Sequence, residues 1–88
     1  MKLTQTGVGT EDSGRVRDTQ GSGLIPIQAD GDGATTFKVN GRASADAPWV
    51  EIKAAGTADF LEAFSWVPYV QLEVTAGAGT VTLWIGDN

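Results

Sequence analysis

The chain contains neither cysteine nor histidine. The first absence removes disulfides and thiolate metal sites as staples, and the second removes the commonest general base. With them goes the softest nucleophile, so no enzyme is expected. Basic charge is also scarce: six Lys and Arg against eleven Asp and Glu leave a net charge of −5. Binding a phosphate backbone takes clustered cations, so nucleic acid is not an expected partner. No apolar run approaches the length of a membrane span, and Met1 to Thr6 lacks a signal-peptide core. A soluble protein made in the cytoplasm, without membrane contact, is expected.

What is present is glycine, threonine, valine and a series of turn dipeptides. Eighty-eight residues make one domain, residues 1–88, near the lower size at which a single core offsets chain entropy. No segment sustains a helical period, and the composition favours an all-β domain. The best helical competitor is Thr57 to Phe64, where Asp59 offers a cap, but Phe60, Phe64 and Trp66 suit a strand equally well. We read it as a strand, with Trp66 plugging one end of the core.

Alternation defines the rest. Lys2 to Thr6 is a first strand. The Gly/Asp/Ser-rich stretch 7–14 reads as a loop that a partner would order, and residues 7–23 together as a flexible loop or arm, within which Arg15 to Gln20 is polar enough for an edge strand. Leu24 to Gln28 is a short apolar strand whose Pro26 lacks a ladder donor, which places it at an edge or sheet entry. Asp30-Gly31-Asp32-Gly33 is a turn; its two carboxylates have calcium-loop spacing, but no closing acidic ligand follows, and no metal or cofactor is expected. Phe37 and Val39 share one side of the next strand, opposite Thr36 and Lys38. Asn40-Gly41 is read as a kink or bulge in it, and Ser44 to Pro48 as the turn. Asn40-Gly41-Arg42 matches a cell-adhesion tripeptide, a coincidence expected of any three residues. Val70 to Thr75 and Thr80 to Ile85 flank Ala76-Gly77-Ala78-Gly79, which reads as an antiparallel hairpin. Six to eight short strands point to a small antiparallel β-sandwich or jelly-roll-like barrel.

Three aromatics fall on the parity opposite to their aliphatic neighbours. Trp49 groups with Glu51 and Lys53 against Val50 and Ile52. Tyr69 groups with Gln71, Glu73 and Thr75 against Val70, Leu72 and Val74, and Trp84 with Thr80 and Thr82 against Val81, Leu83 and Ile85. Successive strand side chains alternate between faces, so these rings are expected on a second, non-core face. Such a face serves a protein interface, a sugar platform, or a core widened by twist and loop cover.

The stretch Phe37 to Val50, with its Gly41-Arg42 strand end and Pro48-Trp49 strand start, together with Val67-Pro68-Tyr69-Val70 and the closing Gly79-Thr80-Val81-Thr82-Leu83-Trp84-Ile85-Gly86, resembles small β-sandwich virion structural proteins of tailed bacteriophages. The resemblance covers the C-terminal half and more of the chain. It implies a head decoration, or cement, protein on the capsid surface that binds the major capsid protein and self-associates, a trimer being favoured. Trp49, Tyr69, Trp84 and Arg42 are then the candidate interface residues. The alternatives are a tail, neck or fibre-associated virion component and a carbohydrate-binding adhesion module.

Overall fold

The computed structural model describes residues 1–18 and 21–86. They form eight strands: β1 (Lys2–Thr6), β2 (Gly9–Asp12), β3 (Leu24–Asp30), β4 (Thr36–Arg42), β5 (Val50–Gly56), β6 (Phe60–Ser65), β7 (Tyr69–Ala76) and β8 (Thr80–Ile85). One four-stranded sheet, sheet A, runs β1-β8-β3-β6, and the other, sheet B, runs β2-β7-β4-β5. All pairings are antiparallel. β1 pairs with β8, β2 with β7, β3 with β6 and β4 with β5, as in a long ribbon folded back on itself at the β4–β5 turn. Lateral pairs β3–β8 and β4–β7 then wrap that ribbon into two layers. This is the jelly-roll arrangement. No helix occurs among the described residues, so none is long and apolar enough to cross a membrane.

The alternating residues meet between the sheets. Ile25 and Ile27 of β3 and Val81, Leu83 and Ile85 of β8 come from one layer. Phe37 and Val39 of β4 and Val70, Leu72 and Val74 of β7 come from the other, and all are buried. Val16, fully buried, and Trp66 pack on this core, and the Trp66 Nε1 donates to the Val16 carbonyl at 3.3 Å. The ring thus plugs an end of the sandwich while its one polar atom is satisfied.

Several expectations are corrected. β7 and β8 do not form a hairpin: they lie in different sheets, and Gly77 to Gly79 carry the chain across the sandwich. A short glycine loop between two one-sided apolar strands serves either connection, and closing the core selects the crossing. Among the described residues, only β4–β5 stays within one sheet. β3 is central rather than an edge. The ladder to β8 begins at Ile27, so Pro26 lies just beyond it, where its carbonyl still accepts from Gly86 N at 2.9 Å and only the reciprocal bond is lost.

The Gly-rich 7–14 stretch holds β2, which pairs with β7 from Gly9↔Val74 to Asp12↔Gln71. Residues 15–18 form no strand, and their Val16 N–H donates to the Pro68 carbonyl. The remainder of the Arg15–Gln20 edge-strand expectation, at Thr19 and Gln20, lies outside the described residues.

β5 also departs from simple alternation. Its register against β4 shifts between Phe37 and Val39 and again between Val39 and Asn40. These bulges interrupt the parity. Lys53 therefore leaves the outward group with Glu51 and reaches the gap between the sheets, while Val50 is left 61% exposed.

Candidate functional site

The four sequence candidates do not form one surface. Arg42 is the register partner of Tyr69 on sheet B, and Trp49 enters β5 beside them. The Arg42 guanidinium lies 4.1 Å from the centre of the Trp49 ring and 5.5 Å from that of Tyr69. These are cation–π distances. Arg42 Nε is buried without a hydrogen-bond partner, and the guanidinium lies against the two rings. Nearby, the Ser44 hydroxyl donates to Asp46 Oδ1 at 2.7 Å. That bond, the residue's own backbone and the Arg42 charge hold the Asp46 carboxyl below its ordinary range.

The outward face of sheet B is closed on itself elsewhere too. Asn40 Nδ2 donates to Gln71 Oε1 at 2.8 Å and to Glu73 Oε1 at 2.9 Å, and Gln71 Nε2 donates to Asp12 Oδ1 at 2.9 Å. Lys38 Nζ lies 3.6 Å from Glu73 and 3.9 Å from Glu51. Asn40 and Gln71 are only 4% and 8% exposed. Four strands are therefore laced by polar side chains that already satisfy one another.

Sheet A is different. The cross-strand register sets Trp84, Gln28 and Leu61 in one row across β8, β3 and β6, with Pro26 and Ala63 in the next. Leu24 extends the patch. Leu24 is 54% exposed, Leu61 68% and Trp84 40%, and Pro26, Gln28, Leu61, Trp84 and Gly86 enclose a shallow hollow of about 160 Å³. Contiguous apolar side chains on an outward sheet face are the usual mark of a surface that is covered in use. Of the four candidates, Trp84 alone is here; Trp49, Tyr69 and Arg42 cluster on the opposite sheet. Leu24 and Leu61 were missed, although Leu61 alternates with Phe60 and Phe64 and could have been placed outward by parity alone.

A larger cleft, about 480 Å³, opens where β5 and β6 leave the sandwich. Phe37, Ile52, Phe60 and Phe64 line it, and Phe60 stacks 6.2 Å from Phe37 and meets Phe64 edge-on. Lys53 Nζ pairs with Glu62 Oε2 across its mouth, 4.8 Å from the Phe60 ring centre. A lone ion pair over phenylalanine rings offers neither a nucleophile beside a base nor two free carboxylates facing a substrate.

The Asp30-Gly31-Asp32-Gly33 segment closes a turn. Asp32 Oδ1 accepts from the Ala34 and Thr35 N–H groups at 2.9 and 2.7 Å, and Oδ2 from the Thr35 hydroxyl at 3.1 Å. These bonds, the Ala34 N–H first, lower its pKa, and the carboxylate is committed to the loop. No family model, curated protein or solved structure matches the chain.

Proposed function

We propose that this chain is a non-enzymatic virion structural protein of a tailed bacteriophage, a decoration or cement subunit that docks on the outer head lattice through the outward face of sheet A. The observation that supports docking is the exposure of Leu24, Leu61 and Trp84 around Pro26, on a face without the polar lacing of sheet B. The phage assignment rests on the C-terminal sequence resemblance. Jelly rolls occur in capsid and lectin domains alike, so the fold agrees with this reading and does not select it.

The work required is mechanical. Apolar surface buried across a boundary between major capsid proteins contributes roughly 25 cal/mol per Å² toward holding them together, before ordering costs are subtracted. The acidic net charge keeps the subunit from packaged DNA and suits a basic capsid surface.

The test is reconstitution on expanded heads that lack the chain. Wild-type protein is expected to bind in lattice copy number and raise the temperature of head disruption, while Leu61→Thr and Trp84→Ser bind more weakly. Absence of binding by the wild type defeats the proposal. Binding of a few copies at the neck or tail moves the protein to a tail, neck or fibre role. A second reading, an adhesion module for carbohydrate, is favoured by one feature: Trp84 stands beside the Gln28 amide over the shallow hollow. Tryptophan fluorescence that responds to oligosaccharides but not to heads would select it.

A further inference from the structure

We propose that two copies of this chain pair through β6, joining both A sheets into one continuous eight-stranded sheet about a two-fold axis at Ala63. The inference stands on the edge strand alone and holds whether or not the capsid reading does.

The sandwich has four edge strands, β1 and β6 in one sheet and β2 and β5 in the other. Three are poor templates for pairing. β1 is polar and begins with Lys2, β2 has only four residues with Glu11 and Asp12 among them, and β5 is broken by two register shifts. Charges, shortness and bulges are the usual protections of an edge. β6 has six residues and no bulge, and its only charge is already paired. Phe60-Leu61-Glu62-Ala63-Phe64-Ser65 pairs with β3 without a register shift, and its one charge, Glu62, is engaged by Lys53.

The direction of its free groups follows from Pro26. Gly86 N donates to the Pro26 carbonyl, so Pro26 directs its backbone toward β8. Its register partner Ala63 is then in a non-hydrogen-bonded pair with it, and Ala63 directs both N–H and C=O away from β3. By alternation Leu61 and Ser65 do the same. Trp66 N donating to the Gly23 carbonyl has the complementary parity. Leu61, Ala63 and Ser65 are all exposed.

Antiparallel pairing must oppose residues of the same face, which restricts the axis. Centred on Glu62, the ladder would set two carboxylates directly opposite. Centred on Ala63, it pairs Ala63 with Ala63 and Leu61 with Ser65, and the central and flanking pairs each exchange both N–H···O bonds. Glu62 then lies opposite Phe64. The same motion brings together the two clefts that open beside β6, covering the half-exposed Phe60, Phe64 and Ile52 of both copies. An isologous pair of this kind, in place of the trimer favoured from the resemblance, is what the edge fits.

Sedimentation equilibrium of the full chain is expected to give a dimer, strengthened by salt because each copy carries −5. Ala63→Pro removes an N–H that faces the free edge and spares the β3 ladder, so it should yield a folded monomer. Ala63→Lys, which places two cations at the axis, is the second variant should the proline disturb folding. The chain has no cysteine of its own, so Ala63→Cys reports the register: an axial pair about 5.5 Å apart at Cα is within disulfide reach. Ala63→Cys should oxidise to a covalent dimer, Ser65→Cys should not, and a mixture of Leu61→Cys with Ser65→Cys should. A monomeric or trimeric wild type, a dimer that persists in both Ala63→Pro and Ala63→Lys, or cross-linking of Ser65→Cys in place of Ala63→Cys would overturn the proposal.

Discussion

Asn40→Ala and Asn40→Asp separate a sheet face closed by its own hydrogen bonds from one that is merely polar. Asn40 is 4% exposed and spends both amide hydrogens, one on the neutral Gln71 Oε1 and one on the Glu73 carboxylate. A neutral bond contributes about 1 kcal/mol and one to a charged group about 1.5–3. Glu73 is about a third exposed, so the lower half of the charged range applies, and Asn40→Ala should lose about 2.5–3 kcal/mol. A domain of this length holds on the order of 4–13 kcal/mol in total. The variant should therefore fold, with its urea midpoint lowered by about 2.5–3 M at an m-value near 1 kcal/mol/M.

Asn40→Asp keeps the shape and reverses the donor, presenting a carboxylate to two acceptors. Gln71 can relieve one clash by turning its amide, but its Nε2 is held by Asp12, so turning gives up that bond. Asn40→Asp should be worse than Asn40→Ala at pH 7. The introduced carboxyl, beside Glu73, is raised above its unfolded pKa; its protonated, donating form is present below that value and lost as pH rises through the folded one. Stability relative to Asn40→Ala should thus recover on acidification from pH 7 to about 5. Unfolding followed by tryptophan fluorescence reads both effects. An Asn40→Asp midpoint equal to wild type at pH 7, or a deficit that does not change with pH, would refute the network as drawn.

Two further outcomes follow from the turn at Asp32. A Cβ at Gly79 would overlap Asp32 Oδ2 and Thr35 Oγ1, so Gly79→Ala should lower the melting temperature, and adding it to Asp32→Ala should cost less than it does alone. Additive losses would show that the overlap is relieved elsewhere. Asp32 and Asp46 both have lowered folded pKa values, so their contribution is complete above the unfolded value of 3.8 and is lost as pH falls through the folded ones. The acid limb of the stability profile should begin below about pH 4, and Asp32→Asn should flatten it; an unchanged limb would mean that other carboxylates set it.

The strands and their inward faces were legible because alternation is a local property: Phe37 and Val39, then Val70, Leu72 and Val74, then Val81, Leu83 and Ile85 all face the core as their spacing requires. Which strand pairs with which was not legible. The loop Ala76 to Gly79 has the length and composition of a hairpin, yet its flanking strands belong to different layers, because each has one apolar face that closes the core only from its own side. β2 was hidden for a related reason. Gly9-Thr10-Glu11-Asp12 has no apolar alternation, since it is held by the backbone of β7 and contributes little to the core. At Lys53 the parity count itself failed, because the bulges of β5 inserted residues that no local pattern announces.

The topology also changes what outward parity means. Trp49 and Trp84 obey the same rule, and the fold sends them to opposite sheets with different needs. Trp49 covers an arginine whose Nε has no other partner, so the ring is required within its own chain. Trp84 stands beside Gln28 over a hollow shared with Pro26 and Leu61, and it covers no buried charge. Trp49→Ala should therefore destabilise the isolated protein by removing the cation–π contact with Arg42 and the apolar surface the ring covers, and Trp84→Ala should fall mainly on association. Measuring the urea midpoint of each monomer beside its binding to heads or to a second copy separates the two. If both variants lose stability and binding in equal proportion, the sheet A patch is part of the molecule's own packing and the docking surface must be sought elsewhere.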